Sequence, residues 1–165
     1  MYPSCRPRSS SPTAATSIPW IAAITSTRES DAVRRCEGQH PGEIRFVIEA
    51  ALGLQYVQKQ LKAKAGEKLS IVFKNPDVVP HNWLLAKPGS LQKLGEKCNL
   101  MITDPQGMQK HYVPDSDDVI AYTDMTNPKG EFVIHLTAPK EKGDYPYLCT
   151  FPGHWVIMRG IMHVR

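Results

Sequence analysis

"EFVIHLTAPKEKGDYPYLCT", residues 131–150, decides the fold: two runs of β-branched and aromatic residues flank a Lys142-Gly143-Asp144 turn. Short runs of this composition, bounded by Gly or Pro, are what a pleated, half-buried strand selects. The same texture continues outward in both directions. "IRFVIEA", "LSIVFKN", "HNWLLA" and "VIAYT" precede it and "IMHVR" follows, with Gly66-Glu67, Asn75-Pro76 and Asn127-Pro128-Lys129-Gly130 as punctuation. Many short strands at near-regular spacing predict an all-β antiparallel sandwich or barrel rather than alternating βα units. One segment departs from the pattern. In "GSLQKLGEKCNLM", Leu91, Leu94, Cys98 and Met101 are spaced for one apolar helical face. One helix, or a helical flap, is therefore expected to interrupt a β domain over residues 43–165.

Composition narrows the classes. A chain of 165 residues with 41% hydrophobic and 22% charged residues belongs with single globular domains. Its net charge is +4, and the 20 Lys and Arg are scattered among 16 Asp and Glu without a basic block, which argues against nucleic acid as a partner. No apolar run approaches the ~18 residues needed to span a bilayer, so the chain is not expected to be membrane-spanning. Residues 1–42, with stretches such as "SCRPRSSSPTAATS", are rich in Ser, Thr, Pro and Arg and carry neither helical nor strand periodicity. They are expected to be a disordered leader or linker. "IPWIAAI" is at the lower limit for a secretory apolar region and no small-x-small cleavage site follows it. The cysteines Cys5, Cys36, Cys98 and Cys149 form no CxxC pair. Cys98, on the apolar helical face, is expected to be a buried free thiol, with pairing to Cys36 as the alternative.

The chemistry concentrates at residues 149–158, "CTFPGHWVIM", where Cys149, His154 and Met158 fall within ten positions around a Pro-Gly turn. Taken singly, each is a common packing or surface residue. Together they let one loop bring a thiolate, an imidazole and a thioether to one point. A fourth ligand is expected from His81, which opens "HNWLLA" directly after the loop "NPDVVP", at an end of the sandwich. His135 and His163 read as half-exposed strand residues. Met is a poor zinc ligand. Two imidazoles, one thiolate and a weak thioether suit copper instead, in the arrangement used for electron transfer.

On these residues the chain resembles the cupredoxins, the type 1 blue copper proteins, and within them the azurin and auracyanin branch. "CTFPGHWVIMRG" is similar to the branch's ligand loop, "PHNWLLAKPG" to the segment carrying its first histidine, and "HYVPDSDDVIAYT" to the stretch after its helical flap. The resemblance covers residues 43–165. It implies a Greek-key β-sandwich of about eight strands with one helical insertion, holding one copper ion. His81, Cys149 and His154 would be equatorial ligands and Met158 the axial one. Asn82 would tether the two ligand segments by bonding near Thr150, and the N–H groups of Asn82 and Phe151 would donate to the Cys149 sulfur. The family's glycine before the first histidine is Pro80 here, which leaves its carbonyl as a weak axial contact in doubt. His154, flanked by Trp155, Val156 and Pro152, is expected to lie in an apolar patch where electrons leave, with simple loop packing as the alternative for Trp155.

The implied function is a one-electron carrier between redox partner proteins such as cytochromes or oxidases, in the periplasm or another extracytoplasmic space, monomeric or as a domain of a longer chain. It is not an enzyme on this reading. A copper domain of a larger redox enzyme and a copper storage or delivery protein are the alternatives. Leu148 and Thr150 flank Cys149 where copper enzymes use histidines to reach a second copper. A thiol hydrolase built on Cys149 and His154 leaves His81 and Met158 unexplained.

Overall fold

The computed structural model describes residues 42–165. The expected leader, with Cys5, Cys36 and His40, lies outside the described residues except for Gly42. Nine strands, one α-helix and two short 3₁₀ turns follow in the order β1 Ile44–Ala51, β2 Gln55–Tyr56, β3 Gln60–Ala63, β4 Lys68–Asn75, β5 Leu84–Ala86, α1 Leu91–Leu100, a 3₁₀ turn Met101–Thr103, β6 Val119–Tyr122, β7 Gly130–Thr137, β8 Gly143–Leu148, a 3₁₀ turn His154–Val156, and β9 Arg159–Val164. One sheet runs β2-β1-β4-β7 and the other β3-β9-β8-β5-β6.

Alternation orients the first sheet, although in β4 the residues between, Ser70 and Val72, are buried as well. Along β1 and β4 every second residue, Ile48 and Ala50 or Leu69, Ile71 and Phe73, faces the other sheet and is buried. They meet Leu85, Tyr147, Met162 and Val164 from the second sheet in one core. The result is a β-sandwich, as expected. Pairing is mixed, however, and not wholly antiparallel. β1 runs parallel to β4 and β3 parallel to β9. Periodicity reports which face of a strand is buried and carries no information on its direction, which the connections decide.

In β5 and β8 alternation fails for a physical reason: Leu84, Leu85 and Ala86 are all buried, as are Tyr147 and Leu148. Leu85 and Tyr147 point into the sandwich core. Leu84, Ala86 and Leu148 point the other way, where α1 covers them with Leu94 beside Trp155. The expected apolar helical face is present, since Leu94, Cys98 and Met101 are buried and Cys98 is a free thiol. Central strands β5 and β8, which adjoin the segments carrying His81 and Cys149, are thus packed on both faces. Among the described residues no helix is long and apolar enough to cross a membrane.

Candidate metal centre

Two segments converge at one end of the sandwich. His81 ends the loop between β4 and β5 and is held by an isolated antiparallel bridge to Thr126, with His81 N–H donating to Thr126 O at 3.2 Å and Thr126 N–H to His81 O at 2.8 Å. Cys149 directly follows β8. The chain then turns through Gly153, whose φ of 86° lies in the left-handed region that favours glycine. His154 begins a 3₁₀ turn whose backbone closes on itself: Met158 N–H donates to His154 O at 2.8 Å and Cys149 N–H to Met158 O at 3.0 Å. Cys149 and Met158 are fully buried.

Cys149 Sγ lies 3.8 Å from His81 Nδ1 and 3.7 Å from His154 Nδ1, and the two Nδ1 atoms are 3.2 Å apart. A triangle with these sides has its centre about 2.1 Å from each corner, close to the ~2.0–2.3 Å bonds that first-row metal ions make to nitrogen and sulfur. The donor set and spacing therefore fit a His₂Cys trigonal metal site. Met158 is the remaining soft donor in the same loop.

The surroundings suit a site that is fully formed before metal arrives. Asn82 joins the segments: its Nδ2 donates to Thr150 Oγ1 at 2.7 Å, and its Oδ1 accepts from Thr150 N–H at 2.8 Å. Burial pushes the Cys149 thiol up to about 11, while the N–H groups of Asn82 and Phe151, donating to the sulfur, favour the thiolate. Burial lowers His154 to about 4, and the neighbouring His81 adds to the shift. His81 is also lowered, by burial first, against the pull of Asp77. At neutral pH both imidazoles are uncharged and ready to ligate.

Three contributors have no counterpart in the sequence reading. Asp77 Oδ2 lies 3.2 Å from His81 Nε2, with both side chains buried. An acidic residue four positions before a candidate ligand histidine, in a turn, is a signal that asking what orients the imidazole would have found. His111 has φ 54° and offers its carbonyl to Asn82 Nδ2 and Thr150 Oγ1, each at 3.3 Å. Tyr56 donates its hydroxyl to Asn82 O at 2.6 Å. Neither of these two carries a sequence signal, because both act across the fold.

Trp155 takes the second of the two roles open to it, packing. It is 7% exposed, its indole packs against Gly95 of α1, and its Nε1–H donates to Asn99 Oδ1 at 3.1 Å. Its aromatic face is spent on packing the helix, not on the surface. Val156 and Ile157, 51% and 56% exposed, are the apolar residues that the loop presents to solvent. Pro152 and His154 remain half-buried beside them. His135 and His163 stand on their strands away from the cluster, close to Glu43 and Asp144 respectively.

Comparison with known proteins agrees with the geometry. Residues 43–165 match the family described as copper binding proteins, plastocyanin/azurin family. Auracyanin-A of Chloroflexus aurantiacus is 34% identical over 115 residues, covering 68% of this chain and 68% of that protein. Azurin of Pseudomonas aeruginosa is 31% identical over 94 residues, covering 54% of this chain and 59% of azurin. The solved structure of auracyanin A, described as a blue copper protein, superposes with a TM-score of 0.68 at 30% identity, over 75% of this chain and all of that one. With a cupredoxin sandwich and a His₂Cys cluster of the right span, the chain belongs to the plastocyanin/azurin family of copper-binding proteins, and copper is its cofactor.

Proposed function

We propose that this chain is a mononuclear type 1 copper protein that carries single electrons between larger redox proteins, with His81, Cys149 and His154 as equatorial ligands and Met158 as the axial one. The observation that carries the proposal is the triangle of two Nδ1 atoms and one Sγ, buried at His81 and Cys149 and half-buried at His154, sized for a single ion. Copper bound there supplies a one-electron couple between Cu(I) and Cu(II). The protein's share is to hold donors in place so that little rearranges when charge changes. Asn82 and Thr150 lock the two ligand segments together. The N–H groups of Asn82 and Phe151 withdraw electron density from the sulfur and favour Cu(I). Pro80 keeps a carbonyl beside His81 that can act as a distant axial contact.

Electron exchange requires one ligand near the surface. His154 is only half-buried, and its ring lies 4.5 Å from that of Phe151. Val156 and Ile157, which follow it in the loop, are exposed, and Val78 and Val79 are exposed on the loop leading to His81. A small apolar surface of this kind suits brief docking with a cytochrome or oxidase and rapid release. Leu148 and Thr150 provide no route from Cys149 to a second copper, which favours a carrier over a copper enzyme. A periplasmic or other extracytoplasmic setting accompanies this function.

Cu(II) added to the purified protein is expected to give an intense blue thiolate-to-copper band and a reversible one-electron wave. The Cys149→Ser variant is expected to lose the blue band entirely. A colourless wild-type protein under saturating Cu(II) would overturn the proposal.

A further inference from the structure

Asp77 is a buried acid whose role neither the ligand set nor the tether between segments explains. Its side chain is 6% exposed. Oδ1 accepts from Val78 N–H at 2.6 Å, and the Asp77 N–H donates to Asn75 Oδ1 at 3.1 Å. Asn75 is itself anchored, its Nδ2 donating to Val79 O at 2.8 Å and to Thr126 O at 2.9 Å. Thr126 in turn bridges to His81. The turn is thus fixed on both sides, and the free oxygen of Asp77, Oδ2, is directed at His81 Nε2, 3.2 Å away.

Two consequences follow from elementary chemistry. A carboxylate can only accept from Nε2, so that nitrogen carries the proton and Nδ1 keeps its lone pair, aimed at Cys149 Sγ and His154 Nδ1. Charge balance supplies the second. Cu(II) on one thiolate leaves one positive charge, whereas Cu(I) on one thiolate leaves none. Among the described ion pairs, Asp77 has His81 as partner and no Lys or Arg. Its negative charge is therefore compensated locally only when the metal is oxidised.

We infer that Asp77 is a positioning residue of the metal centre, whose buried carboxylate fixes the His81 ring with Nδ1 toward the metal and biases the bound copper toward Cu(II). This opposes the N–H donors on Cys149, which bias it toward Cu(I). The inference rests on His81 being a ligand.

The test compares wild type with Asp77→Asn, which keeps the shape and the acceptor for Val78 N–H, and with Asp77→Glu, which keeps the charge. Cu(II) and Cu(I) affinities are measured separately, with visible spectra and reduction potentials on the same samples. Loss of a group that orients a ligating histidine typically costs 10–100-fold in metal affinity. Asp77→Asn is expected to stay blue while its Cu(II) affinity falls about tenfold more than its Cu(I) affinity, equivalent to a potential raised by about 59 mV. Asp77→Glu is expected to stay nearer to wild type. A folded Asp77→Asn that binds Cu(I) but no longer Cu(II) is the same result in stronger form. A blue Asp77→Asn whose Cu(II)-to-Cu(I) affinity ratio stays within about twofold of wild type overturns the inference and leaves the copper site standing. A wild type that makes no blue species removes the ligand reading itself. If the asparagine variant does not fold, long-range proton–nitrogen NMR of the wild-type Cu(I) form decides: His81 protonated on Nε2 and slow to exchange supports the inference, and a rapidly exchanging Nε2 proton overturns it.

Discussion

Asn82 does at the level of one side chain what the metal site needs from the whole fold. It is fully buried, and its amide both donates to and accepts from Thr150, 68 residues away along the chain. Replacing it by Ala leaves the Thr150 N–H, and the hydroxyl beside it, short of a partner in a dry environment, which costs about 1–3 kcal/mol for each group left unsatisfied. The Asn82→Ala protein is expected to unfold at lower urea and to give a weaker, shifted blue band, because His81 and Cys149 are no longer held in register. Unchanged urea midpoint and spectrum would exclude the tethering role. The two lowered histidines make a second prediction. In the metal-free protein His154 titrates at about 4 and His81 below 6.5, against 6.5 for each when exposed. Between these values the unfolded chain binds more protons than the folded one, so stability rises with pH there. Their contribution is complete above pH 6.5 and is lost as pH falls toward about 4. Urea midpoints of the metal-free protein across this range are expected to decline with acid, and His154→Ala is expected to flatten the decline.

At the scale of elements, α1 is more than an insertion, because it seals the outer face of β5 and β8 where the ligand segments begin. It meets the metal loop through Asn99 Oδ1, which accepts from Gly153 N–H and Trp155 Nε1–H, and through a close approach at Gly95. A Cβ added at Gly95 would lie 2.1 Å from Trp155 Cδ2, closer than any atoms can pack. In an open helix Gly→Ala gains about 1 kcal/mol, but overpacking of this kind costs about 1–3 kcal/mol and here displaces an indole. Gly95→Ala is therefore expected to lower the melting temperature, and to perturb the blue spectrum as well, since Trp155 is the neighbour of His154. A raised melting temperature would show that the helix moves aside freely. The helix was legible in the sequence from Leu94, Cys98 and Met101, and strands such as β4 and β7 from their β-branched runs. β3 was not. "QLKA" has no β-branched residue, and it is a strand because β9 offers it a parallel partner through the register Leu61 with Met162. Trp155 was left open for a related reason: a large aromatic in this loop is compatible with a surface or with packing, and only Gly95, sixty residues earlier, decides between them.

At the scale of the molecule, the four residues proposed as ligands divide between a segment entering β5 and a loop joining β8 to β9, and both sheets share the core beneath them. The cluster of His81, Cys149 and His154 was legible because a cysteine and a histidine share one short loop, and because His81 sits at a strand's beginning. What holds the set was not, since Asp77, His111 and Tyr56 act through contacts that periodicity cannot report. Those contacts determine how the protein responds to losing its metal. Every bond that aligns the donors is made between protein groups, so the cluster keeps its shape without copper. Backbone amide shifts of the metal-free and Cu(I) proteins are expected to agree everywhere except within the two ligand segments. Stability should still differ, because a ligand that binds only the folded state stabilises it by mass action, by about 4 kcal/mol when free copper is a thousandfold above its dissociation constant. Removing copper with a chelator is expected to lower the melting temperature without changing the far-ultraviolet circular dichroism of the folded protein. Chelation that unfolded the sandwich or shifted amides throughout both sheets would mean that copper builds this site, and that the hydrogen bonds around Asn82 and Asp77 are too weak to hold it alone.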